Sequence, residues 1–106
     1  MTPEAKYQST LIQILKHRFP GCLVLKNDPS YQQGIPDLTI LFGQCWAMLE
    51  VKPAFTSPRQ PNQEYFVQQL DQMSFAAFIC PENEGAVLDE LQAAFETCGR
   101  TCVSQS

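Results

Sequence analysis

The sequence predicts a single α/β domain, a central mixed sheet flanked by helices in the order α-β-β-β-α-β-α. Three observations carry that expectation. Stretches with apolar residues at helical spacing alternate with short apolar runs of strand length. Two of those runs are joined by only Gly43-Gln44, a hairpin signal. The chain has 106 residues, 44% apolar and 17% charged, enough for one hydrophobic core but not two. No internal repeat, low-complexity tract or linker divides residues 1–106.

Thr2-Pro3-Glu4 opens the first helix, with Thr2 as N-cap, Pro3 in the first helical position and an acid in the first turn. Tyr7, Leu11, Ile14, Leu15 and Arg18 follow along one side, and Phe19-Pro20-Gly21 ends it. Cys22–Leu25 reads as a buried strand, and Lys26 through Pro36 as a polar loop. Strands Leu38–Phe42 and Cys45–Lys52 form the hairpin. Pro53–Pro61, with three prolines, is irregular. Asn62–Met73 is the second helix, packing through Tyr65, Phe66, Leu70 and Met73. Phe75–Cys80 is the last strand, stopped by Pro81. Glu82–Thr97 is the third helix, packing through Val87, Leu88, Leu91 and Phe95. Gly99 is expected to stop it, leaving 99–106 frayed or as a short edge strand.

Composition narrows the function. No apolar run approaches the roughly 20 residues that span a bilayer, and the N-terminus lacks the pattern of a secretory signal. A cytoplasmic protein without a membrane partner is the expectation. The formal charge is −4 and the pI about 4.8, which argues against a DNA-coating protein. It does not exclude an enzyme whose clustered acids hold divalent cations, since these reverse the local sign. The five cysteines are odd in number and form no Cys-x₂-Cys pair, so neither a disulfide framework nor a zinc site is well supported. Cys22, Cys45 and Cys80 read as small buried hydrophobes. Cys98 and Cys102 carry only a weak redox or metal signal. His17, the single histidine, reads as a surface residue, and Trp46 as core or interface.

The chemistry is concentrated at the hairpin. Side chains alternate along a strand, so Glu50 and Lys52 share one face and Leu49 and Val51 the other. Asp37 stands six positions before Gly43 and Glu50 six after Gln44, so antiparallel pairing sets them opposite each other. Carboxylates about 4 Å apart repel by roughly 4 kcal/mol at an effective dielectric near 20. Either they share a proton or a divalent cation lies between them. Mg²⁺ suits one or two carboxylates with waters and a phosphate oxygen, and the Val51 carbonyl is a further hard ligand. Such an ion lowers the pKa of a bound water, while Lys52 positions that water or neutralises a phosphate. Glu4, on the stripe of Tyr7, Leu11 and Leu15, either completes the metal site or complements its helix N-terminus.

Gly34-Ile35-Pro36-Asp37-Leu38 followed by Glu50-Val51-Lys52 resembles the PD-(D/E)XK nuclease superfamily, and in particular its small virus-type branch, the VRR-NUC domain. Lys26-Asn27 ahead of Gln32-Gln33-Gly34, and Gln63 opening a helix with Phe66 and Leu70 behind it, extend the resemblance over roughly residues 4 to 95. The resemblance implies a restriction-endonuclease-like core and phosphodiester hydrolysis with Mg²⁺, or Mn²⁺ in its place. Asp37, Glu50 and Glu4 would be the site acids, Val51 a carbonyl ligand, Lys52 the catalytic lysine and Gln63 an accessory residue. It also implies a homodimer acting on DNA, branched DNA above all, in a bacterial or virus-infected cytoplasm. Lys26, Gln33 and Arg59 are the candidate substrate contacts. Two rivals stand beside this reading: a nuclease-like binding module without useful catalysis, and the same chemistry on RNA. The proline-rich 53–61 segment and the acidic pI depart from the expected pattern.

Overall fold

The computed structural model describes the backbone of residues 1–105 and the side chains of residues 1–99. Its elements are α1 (Pro3–Arg18), β1 (Leu23–Lys26), β2 (Leu38–Phe42), β3 (Cys45–Val51), α2 (Pro61–Met73), β4 (Phe75–Ile79) and α3 (Glu84–Gln105). The order is the expected one. The sheet runs β1-β2-β3-β4, antiparallel between the first three strands and parallel between β3 and β4, so it is mixed.

Period-two alternation assigns each sheet face its role. Leu38, Ile40, Ala47, Leu49, Val51 and Ile79 face one way and are buried against Leu11, Leu15, Val87, Leu88, Leu91 and Phe95. The stripe of α1 and that of α3 thus bury the same sheet face. Phe19, Phe42 and Phe95 close the far end of this core, with ring centroids 5.3 to 5.6 Å apart. Thr2 caps α1 by accepting the Ala5 N–H at 3.1 Å. The opposite face carries Met48, Glu50 and Phe78, and α2 lies over its β3–β4 side.

Four details correct the sequence reading. The run through Leu25 is an edge strand, not a buried one: Leu23 is 60% and Leu25 47% exposed, because α2 does not reach across to β1. On α2 the buried residue is Val67, with Phe66 and Leu70 half-buried, whereas Tyr65 and Met73 are exposed. Gly99 does not end α3, which continues to Gln105. A glycine inside a helix costs only about 1 kcal/mol, and no positive φ is required there. Finally, Cys45 is not free but forms a disulfide with Cys98, pinning the later turns of α3 to the start of β3. The side chain of Cys102 lies outside the described residues.

The bridge spans 53 positions of sequence, so it removes much of the unfolded chain's freedom. Reduction is expected to cost about 3–4 kcal/mol, read as a lower Tm in dithiothreitol for the wild type. No such change is expected in Cys98→Ala.

Candidate active site

β2 begins and β3 ends at the same end of the sheet, and the candidate residues gather there. The hairpin register pairs Leu38 with Leu49, so the next positions outward are Asp37 and Glu50, as the sequence count requires. Asp37 is held by its Oδ2, which accepts the Val51 N–H at 2.9 Å. In a strand the N–H and C=O of one residue point to the same side, so the Val51 carbonyl also faces the Asp37 side. The Lys52 N–H bonds the Ile79 carbonyl at 2.9 Å, carrying the β3–β4 pairing one residue past the strand.

Asp37 is placed by a residue whose role the sequence left undefined. The Asn27 side-chain amide donates to the Pro36 carbonyl at 2.8 Å and its Oδ1 accepts the Thr39 hydroxyl at 3.0 Å. Its main-chain N–H bonds the Asp37 carbonyl at 2.8 Å. Asn27 therefore staples the polar loop to the start of β2. The available signal was its position at the end of an apolar run, opposite Asp37 once β1 pairs with β2. Asn27→Ala is expected to cost about 1–2 kcal/mol in stability by urea unfolding, since it strips partners from two polar groups.

Glu50 is only 3% exposed, beneath the N-terminal turn of α2. Gln63 bridges it to the lysine. The Gln63 Nε2 donates to Glu50 Oε2 at 2.8 Å, and its Oε1 accepts from Lys52 Nζ at 2.9 Å and from the Gln60 N–H at 3.1 Å. This last bond belongs to the capping of α2, so the helix start that shapes the fold also orients the side chain over the site. Lys52 Nζ is 3.7 Å from Glu50 Oε2.

The electrostatics are those of acids short of positive charge. Burial, then the nearby Asp37 carboxylate, push the Glu50 carboxyl up to about 7, against the pull of Lys52. Burial also raises Asp37, opposed by the Val51 N–H and by Lys52. Glu4 is raised by burial and by Asp37, which puts it within electrostatic reach of the site. It remains exposed at the rim. Among the described residues no three Asp, Glu, His or Cys side chains converge as a metal cage. The potential ligands brought together are the Asp37–Glu50 pair and a main-chain carbonyl.

Of the predicted substrate contacts, Arg59 rests its guanidinium 4.1 Å over the Phe78 ring. Phe78 is the register partner of Glu50, so this cation borders the site. Lys26 and Gln33 are exposed, at the end of β1 and in the following loop.

No protein-family profile matches the chain. No curated protein matches it either. Among solved structures, one described as a VRR_NUC domain superposes with a TM-score of 0.58 at 24% identity, covering 76% of this chain and 85% of that one. The fold is therefore VRR-NUC-like, of the restriction-endonuclease-like kind.

Proposed function

We propose that this protein is a Mg²⁺-dependent nuclease of the PD-(D/E)XK type, hydrolysing DNA in the manner of a stand-alone virus-type VRR-NUC domain. One observation carries the reading: Asp37, Glu50 and Lys52 converge at one end of the central strands, with Gln63 tying the buried acid to the lysine. A buried carboxyl raised to about 7 beside a second raised carboxyl is a costly arrangement without a cation.

The donor set fits a hard cation. Asp37, Glu50 and the Val51 carbonyl would hold Mg²⁺, or Mn²⁺ in its place, with Glu4 contributing from the rim. Bound there, the ion would supply Lewis-acid stabilisation and a more acidic water. Asp37 is oriented for this by the Val51 N–H, and Glu50 by the Gln63 amide. Lys52, drawn to Gln63 and Glu50, carries the positive charge that neutralises the scissile phosphate or orients the attacking water. Lys26, Gln33 and Arg59 are the proposed contacts to the rest of the strand.

Branched DNA is the proposed preferred substrate, and a homodimer the proposed working form. The exposed Leu23 and Leu25 on an open sheet edge favour self-association. Sedimentation velocity showing only monomer at working concentrations would count against the dimer. Among the described residues no helix is long and apolar enough to cross a membrane.

The deciding test is cleavage of linear duplex, single-stranded and four-way-junction DNA, with RNA alongside, in Mg²⁺, Mn²⁺ or EDTA. Cleavage that requires metal and disappears in Lys52→Ala supports the reading. Binding without cleavage in any metal leaves a nuclease-like binding module.

Metal affinity should depend on pH in a defined direction. The cation competes with the proton on Glu50, so affinity rises as pH passes upward through about 7. Calorimetric titration with Mn²⁺ is expected to give roughly tenfold tighter binding one unit above that point than one unit below. A flat profile would remove Glu50 from the ligand set.

A further inference from the structure

The loop that delivers Asp37 also encloses a pocket that metal and phosphate handling do not use. It is open to solvent, about 360 Å³ in volume, and lined by Asn27, Asp28, Tyr31, Gln32 and Ile35. The loop is braced internally. The Tyr31 and Gln32 N–H groups bond the Asp28 carbonyl, and the Ile35 N–H bonds that of Gln32. It is braced externally where Gly34 packs against Asn62 and Phe66 of α2. The loop backbone is therefore fixed, and it is anchored through Asn27 to the main chain of Pro36 and Asp37.

Its walls divide by chemistry. Tyr31 and Ile35 supply flat and aliphatic surface. Asp28 supplies an acceptor, its Oδ1 already taking the Ser30 N–H and hydroxyl. Gln32 has a side-chain amide, which carries both donors and an acceptor. Asn27 is committed at both ends of its amide and acts as a fixed wall. An aromatic face with donors and acceptors at its edge is the means by which proteins hold a base taken out of its stack.

Two further observations point the same way. Tyr31 is 91% exposed, the most exposed aromatic among the described residues. The others that are exposed, Phe55 and Tyr65, lie three residues after Lys52 and two after Gln63. Exposed rings thus lie close in sequence to Asp37, Lys52 and Gln63. The chain also carries only 7 Lys and Arg against 11 Asp and Glu, so phosphate neutralisation alone would hold a strand weakly. Stacking supplies affinity that does not depend on net charge.

We propose that this pocket takes an unpaired nucleobase beside the scissile phosphate, stacked on Tyr31 and read at its polar edge by Asp28 and Gln32. The substrate is then DNA with an unpaired nucleotide at the cleavage point, as in a single strand or a branch, rather than perfect duplex. The position of the phosphate rests on the nuclease reading; binding of the base does not.

The test measures binding in EDTA, where metal-dependent cleavage is blocked. Fluorescence anisotropy would compare a short labelled single strand of mixed sequence with its perfect duplex, for wild type, Tyr31→Ala, Tyr31→Phe and Gln32→Ala. Wild type should prefer the single strand. Tyr31→Ala should weaken that binding at least about tenfold and leave duplex binding and Tm unchanged, with Tyr31→Phe within about twofold of wild type. Gln32→Ala should reduce single-strand binding less than Tyr31→Ala. Equal binding by Tyr31→Ala and wild type, or equal losses on both DNAs, would overturn the pocket. Cleavage in Mg²⁺ by wild type separates the two ideas. Cleavage with an indifferent Tyr31 sinks the pocket and keeps the nuclease; Tyr31-dependent binding without cleavage in any metal does the reverse.

Discussion

Glu50→Gln is expected to reduce metal-dependent DNA cleavage by at least about 1,000-fold while making the metal-free fold more stable above neutral pH. The substitution keeps the shape of the side chain and its contact with Gln63 but removes the charge that would hold a cation. The stability effect follows from the raised carboxyl. Below the ordinary value of 4.5 the folded and unfolded states both hold the proton. Between that value and about 7 the folded state keeps a proton that the unfolded chain has lost, so stability falls as pH rises through this window. Above it the cost of the buried charge is complete. At 1.36 kcal/mol per unit the shift alone is worth about 3 kcal/mol. Loss of the Lys52 partner and solvent screening at the open side of the site reduce the net gain to about 1–2 kcal/mol. Urea unfolding in EDTA at about pH 5 and pH 8 checks this. A variant less stable than wild type at the higher pH would mean that Glu50 is a structural partner of Lys52 rather than an acid awaiting a cation.

Gly34→Val is expected to destabilise the fold by about 4 kcal/mol or more and to remove activity with it. Gly34 has φ +90°, a conformation that residues with a Cβ rarely adopt. A Cβ there would also meet Phe66 at 3.0 Å and Asn62 at 3.1 Å. Both neighbours belong to the first turns of α2, which carries Gln63 into the site. The glycine thus lets the Asp37 loop and the Gln63 helix approach closely. Gly21 provides the control, with the same φ of +90° and nothing within 4 Å of a Cβ. Gly21→Val should lose only about 2 kcal/mol, from backbone strain alone. Thermal unfolding of both variants separates strain from close approach. Equal losses at the two positions would mean that the packing of Gly34 on α2 contributes nothing.

The order of elements was legible because each announced itself locally. Thr2-Pro3 capped a helix, Gly43-Gln44 turned a hairpin, and alternation assigned Glu50 and Lys52 one face. The facing of Asp37 and Glu50 could be counted from the turn, since a two-residue link leaves no freedom in register. Burial was less legible. Leu23 and Leu25 are as apolar as any core strand, yet among the described residues no helix covers their face, and coverage is a property of the assembled layers. On α2 the packed side runs through Phe66, Val67 and Leu70 and leaves out Tyr65 and Met73, because a helix's facing depends on how it crosses the sheet. The Cys45–Cys98 bridge, between positions 53 apart, carries no local spacing signal.

For the candidate site, the sequence by itself determined which residues share a strand face and which carboxylates stand opposite, because period and register are local consequences of chain geometry. Only the tertiary structure decided that Gln63 spans Glu50 and Lys52, that Asn27 staples Asp37 in place, and that Tyr31 stands over a pocket. Those relations join separate segments through loop and helix packing, and such contacts exist only once the layers have closed.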